Sequence, residues 1–177
     1  PQVCERLTTF AKQIPDGVDF ILGNHEYHHD VNKVLDELKH NTPMNILVNS
    51  NIQIMGGKQP VYIAGVAYDN DREKEKREAM IDKALSGIPD YAFVILLAHH
   101  PEFFEEAIER KIPLTLSGHP HGGQIVFMGM PLVPTGTPYT KGRYVEEQSV
   151  CYVNNGSGHW FPIRINCPRE ITVITFF

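Results

Sequence analysis

A chain of 177 residues that is 42% hydrophobic and 21% charged has the length and composition of one globular domain with its own core. A formal net charge of −5 excludes the basic surface that grips nucleic acid. Three cysteines without close pairing, Cys4, Cys151 and Cys167, exclude a zinc ribbon and a disulfide scaffold and are expected as unpaired thiols.

In chain order, Val3, Leu7, Phe10, Ala11 and Ile14 recur at helical spacing, and Pro15-Asp16-Gly17 closes that helix. Val18 to Leu22 reads as a short buried strand. Asp30 is placed to cap a helix whose apolar face is Val31, Val34, Leu35 and Leu38. Two β-rich runs, Ile46 to Met55 and Val61 to Val66, flank Gly56-Gly57-Lys58 as a hairpin would. The charged stretch from Asp69 to Glu78 is expected to be the solvated face of a helix that continues to Leu85.

Ala92 to Ala98 is apolar at every position, as a strand covered on both faces should be. A helix around Glu102–Arg110 follows, then a strand over Pro113–Ser117. Further strands are expected near Val150–Val153 and Ile171–Phe176. The alternation predicts a layered α/β fold in a single domain over 1–177. No apolar run approaches the roughly 20 residues that cross a bilayer, and the chain as it stands reads as cytoplasmic.

The chemistry concentrates where hydrophobic runs end. Gly23-Asn24-His25-Glu26, His99-His100-Pro101 and Gly118-His119-Pro120-His121-Gly122-Gly123-Gln124 hold five of the nine histidines. Loops at strand exits are where an α/β sheet assembles ligands from distant parts of a sequence. Two imidazoles one residue apart can serve one metal or two neighbouring ones, and imidazole suits Zn, Mn and Fe class ions.

Asn24 offers a neutral hard oxygen. His25 beside it could stabilise phosphoryl charge or protonate a leaving alkoxide. Of the adjacent pair, His99 ends the strand and is the expected ligand, whereas His100 packs beside Pro101. His28 and His29 read as exposed, and His40 as a helix C-terminal residue that complements the dipole. His159, in the Gly-rich run Asn154 to Trp160, is a candidate for the substrate mouth.

The ordered series GNHE, HHP and GHPHGGQ resembles the calcineurin-like metallophosphoesterases, and most of all their bacterial phosphodiesterase-like branch. The likeness runs from about Val18 to the C-terminus. It implies a layered β-sandwich flanked by helices. By the same resemblance, Asn24, His99 and His119 ligate one metal, His121 ligates the other, and His25 is the catalytic histidine beside the phosphoryl group.

The implied activity is hydrolysis of phosphate esters, particularly diesters, by metal-activated water. Two divalent ions of the Mn, Fe or Zn class would serve the complete enzyme, and one partial site this chain. Pro120 stands where the family commonly has Thr. The family's Asp-x-His and Gly-Asp-x-x-Asp motifs have no counterpart in the 23 residues before Asn24, and they would supply the bridging carboxylate.

The chain is therefore expected to be N-terminally incomplete, lacking the first strand-helix-strand unit. The competing expectation is a degenerate metal-binding module with little or no catalysis. The implied partner is a phosphate-ester substrate. Relatives in this branch often carry a membrane-directing N-terminus, which leaves membrane association open.

Overall fold

The structure, a computed structural model, describes residues 2–54, 59–68, 73–159 and 161–176. In chain order the elements are α1 (Gln2–Ala11), β1 (Asp19–Ile21), α2 (Val31–Asn41), β2 (Asn45–Leu47), β3 (Ser50–Ile54), β4 (Val61–Gly65), α3 (Lys74–Leu85), β5 (Phe93–Ala98), α4 (Phe103–Glu109) and β6 (Leu114–Ser117). Then follow β7 (Val126–Phe127), β8 (Met130–Pro131), β9 (Gly142–Glu146) and β10 (Ser149–Val153). Asp30 caps α2 as its type predicts, its side chain accepting from the N–H groups of Asn32 and Lys33.

Six strands form one mixed sheet in the order β3-β4-β5-β6-β10-β9, with β1-β2 and β7-β8 as separate two-stranded sheets. The inner strands β4, β5, β6 and β10 run parallel, and β3 and β9 close the two edges antiparallel. This is the layered α/β architecture that the strand and helix patterning implies. Parallel strands place all their C-terminal ends along one edge of the sheet. Along that edge the chain leaves β5 into His99, β6 into Gly118 and β10 into Asn154.

The core lies between the sheet and the pair α3 and α4. Ile81 and Ala84 of α3 and Phe104 and Ala107 of α4 are fully buried against Ala64, Leu96, Cys151 and Val153 of the strands. The apolar run of β5 is explained by this cover. Arg77 of α3 reaches across to Glu106 of α4, donating from Nε at 2.9 Å, and the Glu106 side chain is entirely buried. The charged face of α3 is otherwise exposed, as its composition suggests.

The small parallel sheet β1-β2 lies against β4 at Gly65. A Cβ there would stand 2.4 Å from Leu47 Cβ and 2.8 Å from Ile21 Cγ2. Hydrogen is the only side chain that lets the two layers approach this closely. Gly65→Ala should therefore destabilise the fold by about 1–3 kcal/mol, the usual range for overpacking, read as a lowered urea midpoint with the slope unchanged.

Two expectations need correction. The β-rich run from Ile46 to Met55 is not one strand. It splits into β2 and β3, which belong to different sheets, because Asn49 takes a left-handed φ of +50° between them. The turn expected at Gly56-Gly57-Lys58 lies outside the described residues, although β3 and β4 do pair antiparallel as a hairpin requires. The segment 171–176, expected as a strand, makes no ladder. Its alternating apolar side chains, Ile171 at 88% and Val173 at 87% exposure, stay largely in contact with solvent. It is held instead through side chains, such as the edge-on contact of Phe176 with Phe93.

Candidate metal centre

Three of the sequence-selected side chains converge on one point. Asn24, just beyond β1, places its Oδ1 2.9 Å from Nε2 of His99. His119, just beyond β6, places its Nδ1 3.2 Å from the same nitrogen. A tetrahedral ion with bonds near 2.1 Å needs donor atoms about 3.4 Å apart. One carbonyl-type oxygen and two imidazole nitrogens at this separation fit a first-row divalent ion. Among the described residues, nitrogen atoms of His99, His100 and His119 also lie within 4.8 Å of one another.

The backbone around these groups is shaped for close approach. A Cβ on Gly23 would stand 3.0 Å from the His99 ring, so the preceding loop passes directly over it. The carboxylate of Glu26 accepts the Gly23 N–H at 2.6 Å, which occupies it in holding the loop. His99 sits edge-on to Tyr68. Burial first, and then the neighbouring His119 and His100, push the His99 imidazole down to about 3. Both influences favour the neutral imidazole, the form a metal requires.

His100 takes the role expected of a non-ligand only in part. Its ring stacks on His119 with centroids 3.8 Å apart, and its Nδ1 lies 3.4 Å from Glu102 Oε2. It thus buttresses the ligand as well as packing behind the loop. His28 and His29 are exposed, and His40 donates toward Asp36 O at 2.7 Å within its own helix. Of these three, His28 meets the site through its ring contact with His25, the centroids 5.3 Å apart.

His119 and His121 both adopt left-handed backbone, with φ of +75° and +52°, and Gln124 does so at +54°. A non-glycine residue in this region costs roughly 1–2 kcal/mol, so the loop must be held from outside. Gln124 is fully buried and its amide donates to Phe161 O at 2.6 Å and Ile163 O at 3.0 Å. The thiol of Cys167, also buried, donates to His121 O at 3.1 Å. Gly122, directly after His121, has φ +63°, and a Cβ there would meet Asn155 Oδ1 at 2.4 Å and Cys167 Sγ at 2.5 Å. Gly122→Ala should displace His121 and lower cation affinity by about 10–100-fold, the range for a disturbed outer shell, measurable by isothermal titration.

The remaining candidates border the same hollow. Asn24, His25, His119, His121 and the strap Val133-Pro134-Thr135 line a cavity of about 220 Å³. An adjoining depression adds His99, Gly158 and His159. All six candidate residues of the sequence analysis therefore border one connected region. Burial, and then the guanidinium of Arg164, hold the His121 imidazole below its ordinary value. Sequence reasoning did not single out Arg164, Cys167 or Glu26. Glu26 stands inside the Gly23-Asn24-His25-Glu26 series without a role assigned to it, and Arg164 and Cys167 are marked only by following a Gly-rich loop, which is too common to select them.

The three cysteines are unpaired, and burial pushes the Cys151 thiol up to about 12. That excludes it as a nucleophile at neutral pH. No helix among the described residues is long and apolar enough to cross a membrane.

The chain is 36% identical over 165 residues to an uncharacterized metallophosphoesterase of Campylobacter jejuni, covering 89% of this chain and 41% of that protein. It is 34% identical over 161 residues to an uncharacterized metallophosphoesterase of Helicobacter pylori, covering 89% and 42%. It is 31% identical over 170 residues to a transmembrane protein with metallophosphoesterase domain of Danio rerio, covering 89% and 38%. The chain thus spans about two fifths of the length of these relatives. No family model and no solved structure matches. Relatives whose names include metallophosphoesterase match nearly all of this chain, and its histidine loops meet where that chemistry needs them, which together support a place in the calcineurin-like metallophosphoesterase family.

Proposed function

We propose that the protein containing this chain hydrolyses phosphate esters, and phosphodiesters in particular, with two divalent ions. The convergence of Asn24, His99 and His119 within 3.2 Å contacts carries the reading. These three would hold one ion, and His121 would contribute to the second from the wall of the same cavity. When bound, the ions supply Lewis-acid stabilisation of phosphoryl charge and activation of a water.

The chain's own groups do the rest. His25 is exposed at the cavity mouth, begins the short helical turn Glu26–His28 and has no side-chain cap bond that would occupy it. It is free to donate a proton to the departing oxygen. His159, on the rim of the adjoining depression, would contact the part of the ester that is not transferred. The Val133-Pro134-Thr135 strap limits how wide that substituent can be. A cavity of about 220 Å³ exceeds what a bare phosphate fills, which favours an ester with a substituent in place.

The test is turnover of bis(p-nitrophenyl) phosphate by the full-length protein. Chelation should abolish turnover and Mn²⁺ should restore it. His25→Ala should lower kcat by about 10²–10⁴-fold, the usual contribution of a positioned proton donor, with the cation still bound. Cation binding without turnover under any of these conditions would establish the non-catalytic metal-binding module instead.

A further inference from the structure

The segment after the Gly-rich loop runs back alongside the GHPHGGQ loop. Ile165 N–H donates to Gln124 O at 3.0 Å, and Val126 N–H donates to Ile165 O at 2.9 Å. In extended backbone, side chains alternate between faces. Ile163 and Ile165 are 49% and 48% exposed, so Arg164 between them turns inward.

Among the described residues, its guanidinium there meets neutral acceptors alone. Nη2 lies 2.8 Å from Asn155 O, 2.6 Å from Gly158 O and 3.3 Å from Gly156 O. Nε donates to Gly158 O at 3.1 Å and Nη1 to Cys167 O at 3.2 Å. Nη2 also stands 3.1 Å from Nδ1 of His121. On the opposite side of the same loop, Glu170 accepts the Asn155 N–H at 3.1 Å.

We propose that Arg164 is the positioning residue of this site: its planar fork fixes the His121 ring through Nδ1 and, by gathering three carbonyls, the loop that carries His159. This rests on the phosphoesterase reading for its catalytic consequence, though not for its geometry. A guanidinium has five donors in a rigid fork. It can serve several carbonyls at once and still contact an imidazole, whereas a lysine ammonium is a compact charge that cannot span them. With Nδ1 engaged, Nε2 is the ring nitrogen left for the cavity. Arg164 touches neither ion nor ester, and acts through His121 and the 155–158 backbone.

The experiment uses ¹⁵N-labelled full-length protein with its bound ions. In the unaltered protein, the Arg164 side-chain N–H resonances should be individually resolved, because the fork cannot rotate. Averaged, solvent-like Arg164 signals overturn the proposal without any variant. Arg164→Lys, checked for native secondary structure, should shift the His121 ring nitrogens in long-range ¹H–¹⁵N spectra and lower kcat about 10–100-fold. Arg164→Ala should regain at least tenfold of its lost kcat in millimolar guanidinium, and no comparable gain from ammonium. A folded Arg164→Lys with unmoved His121 nitrogens overturns the proposal. If the His121 shifts occur in a protein that turns over no ester, the positioning role stands and the phosphoesterase reading fails.

Discussion

Replacement of His119 by alanine should abolish ester hydrolysis by the full-length protein while leaving the fold intact. His119 Nδ1 lies 3.2 Å from the His99 nitrogen and completes a set of three donors with it and Asn24 Oδ1. Loss of an outer-shell partner typically costs 10–100-fold in metal affinity or activity. Loss of a direct ligand should exceed roughly 100-fold in both.

His119→Ala should also leave His100 without its stacking partner, now 3.8 Å away. Swinging into the gap, His100 could recover part of the affinity. The double variant His100→Ala/His119→Ala should therefore bind cations more weakly than His119→Ala alone. Titration calorimetry on both variants checks this, and equal affinity for the two would show that the stacked ring does not substitute.

The largest effect on stability is expected at the helix pair behind the sheet. Glu106 is fully buried, and Arg77 meets it at 2.7 Å and 2.9 Å while keeping 13% of its side chain in contact with water. The two ends of this pair are not equivalent. Removing Glu106 leaves a guanidinium that can turn toward Glu105, already 3.4 Å away, or toward water. Removing Arg77 strands this carboxylate in the core, where its other oxygen, Oε2, has no hydrogen-bond partner among the described residues.

Arg77→Met should accordingly cost about 3–5 kcal/mol, the range for a buried pair broken on one side. Glu106→Gln should cost about 1–3 kcal/mol, as for a weakened buried hydrogen bond. Replacing both, as Arg77→Met/Glu106→Leu, should return most of the stability, because two apolar side chains leave no charge to bury. Urea unfolding of the three variants measures the ordering. An Arg77→Met variant no weaker than Glu106→Gln would contradict the asymmetry.

The sequence was most legible where chemistry and topology share a local signature. Asn24, His99 and His119 each follow a hydrophobic strand within three residues, so strand exits together with the motif series draw attention to them. His121 and His159 were legible for the same reason, as members of loops at the same sheet edge. The preference for His99 over His100 follows from strand alternation; in the structure His99 contacts both Asn24 and His119, while His100 stacks on His119.

What stayed illegible depends on contacts between distant segments. The split of the run at Val48-Asn49 turns on one left-handed residue, and apolar composition on both sides hides it. Segment 171–176 has strand composition, but ladder formation needs an available edge, which composition does not encode. The two-residue strands β7 and β8 are too short to carry a period. Arg164 is one of many surface-type residues in the sequence, and only the return of its segment beside Gln124 turns it inward.

The left-handed histidine loop has a kinetic consequence. Its unusual backbone is secured by Gln124 and Cys167 through contacts that involve no ion. A cation arriving from solvent should thus meet donors already in place around His99. Capture should then proceed in a single exponential phase, its rate rising linearly with ion concentration, with no slower rearrangement trailing behind.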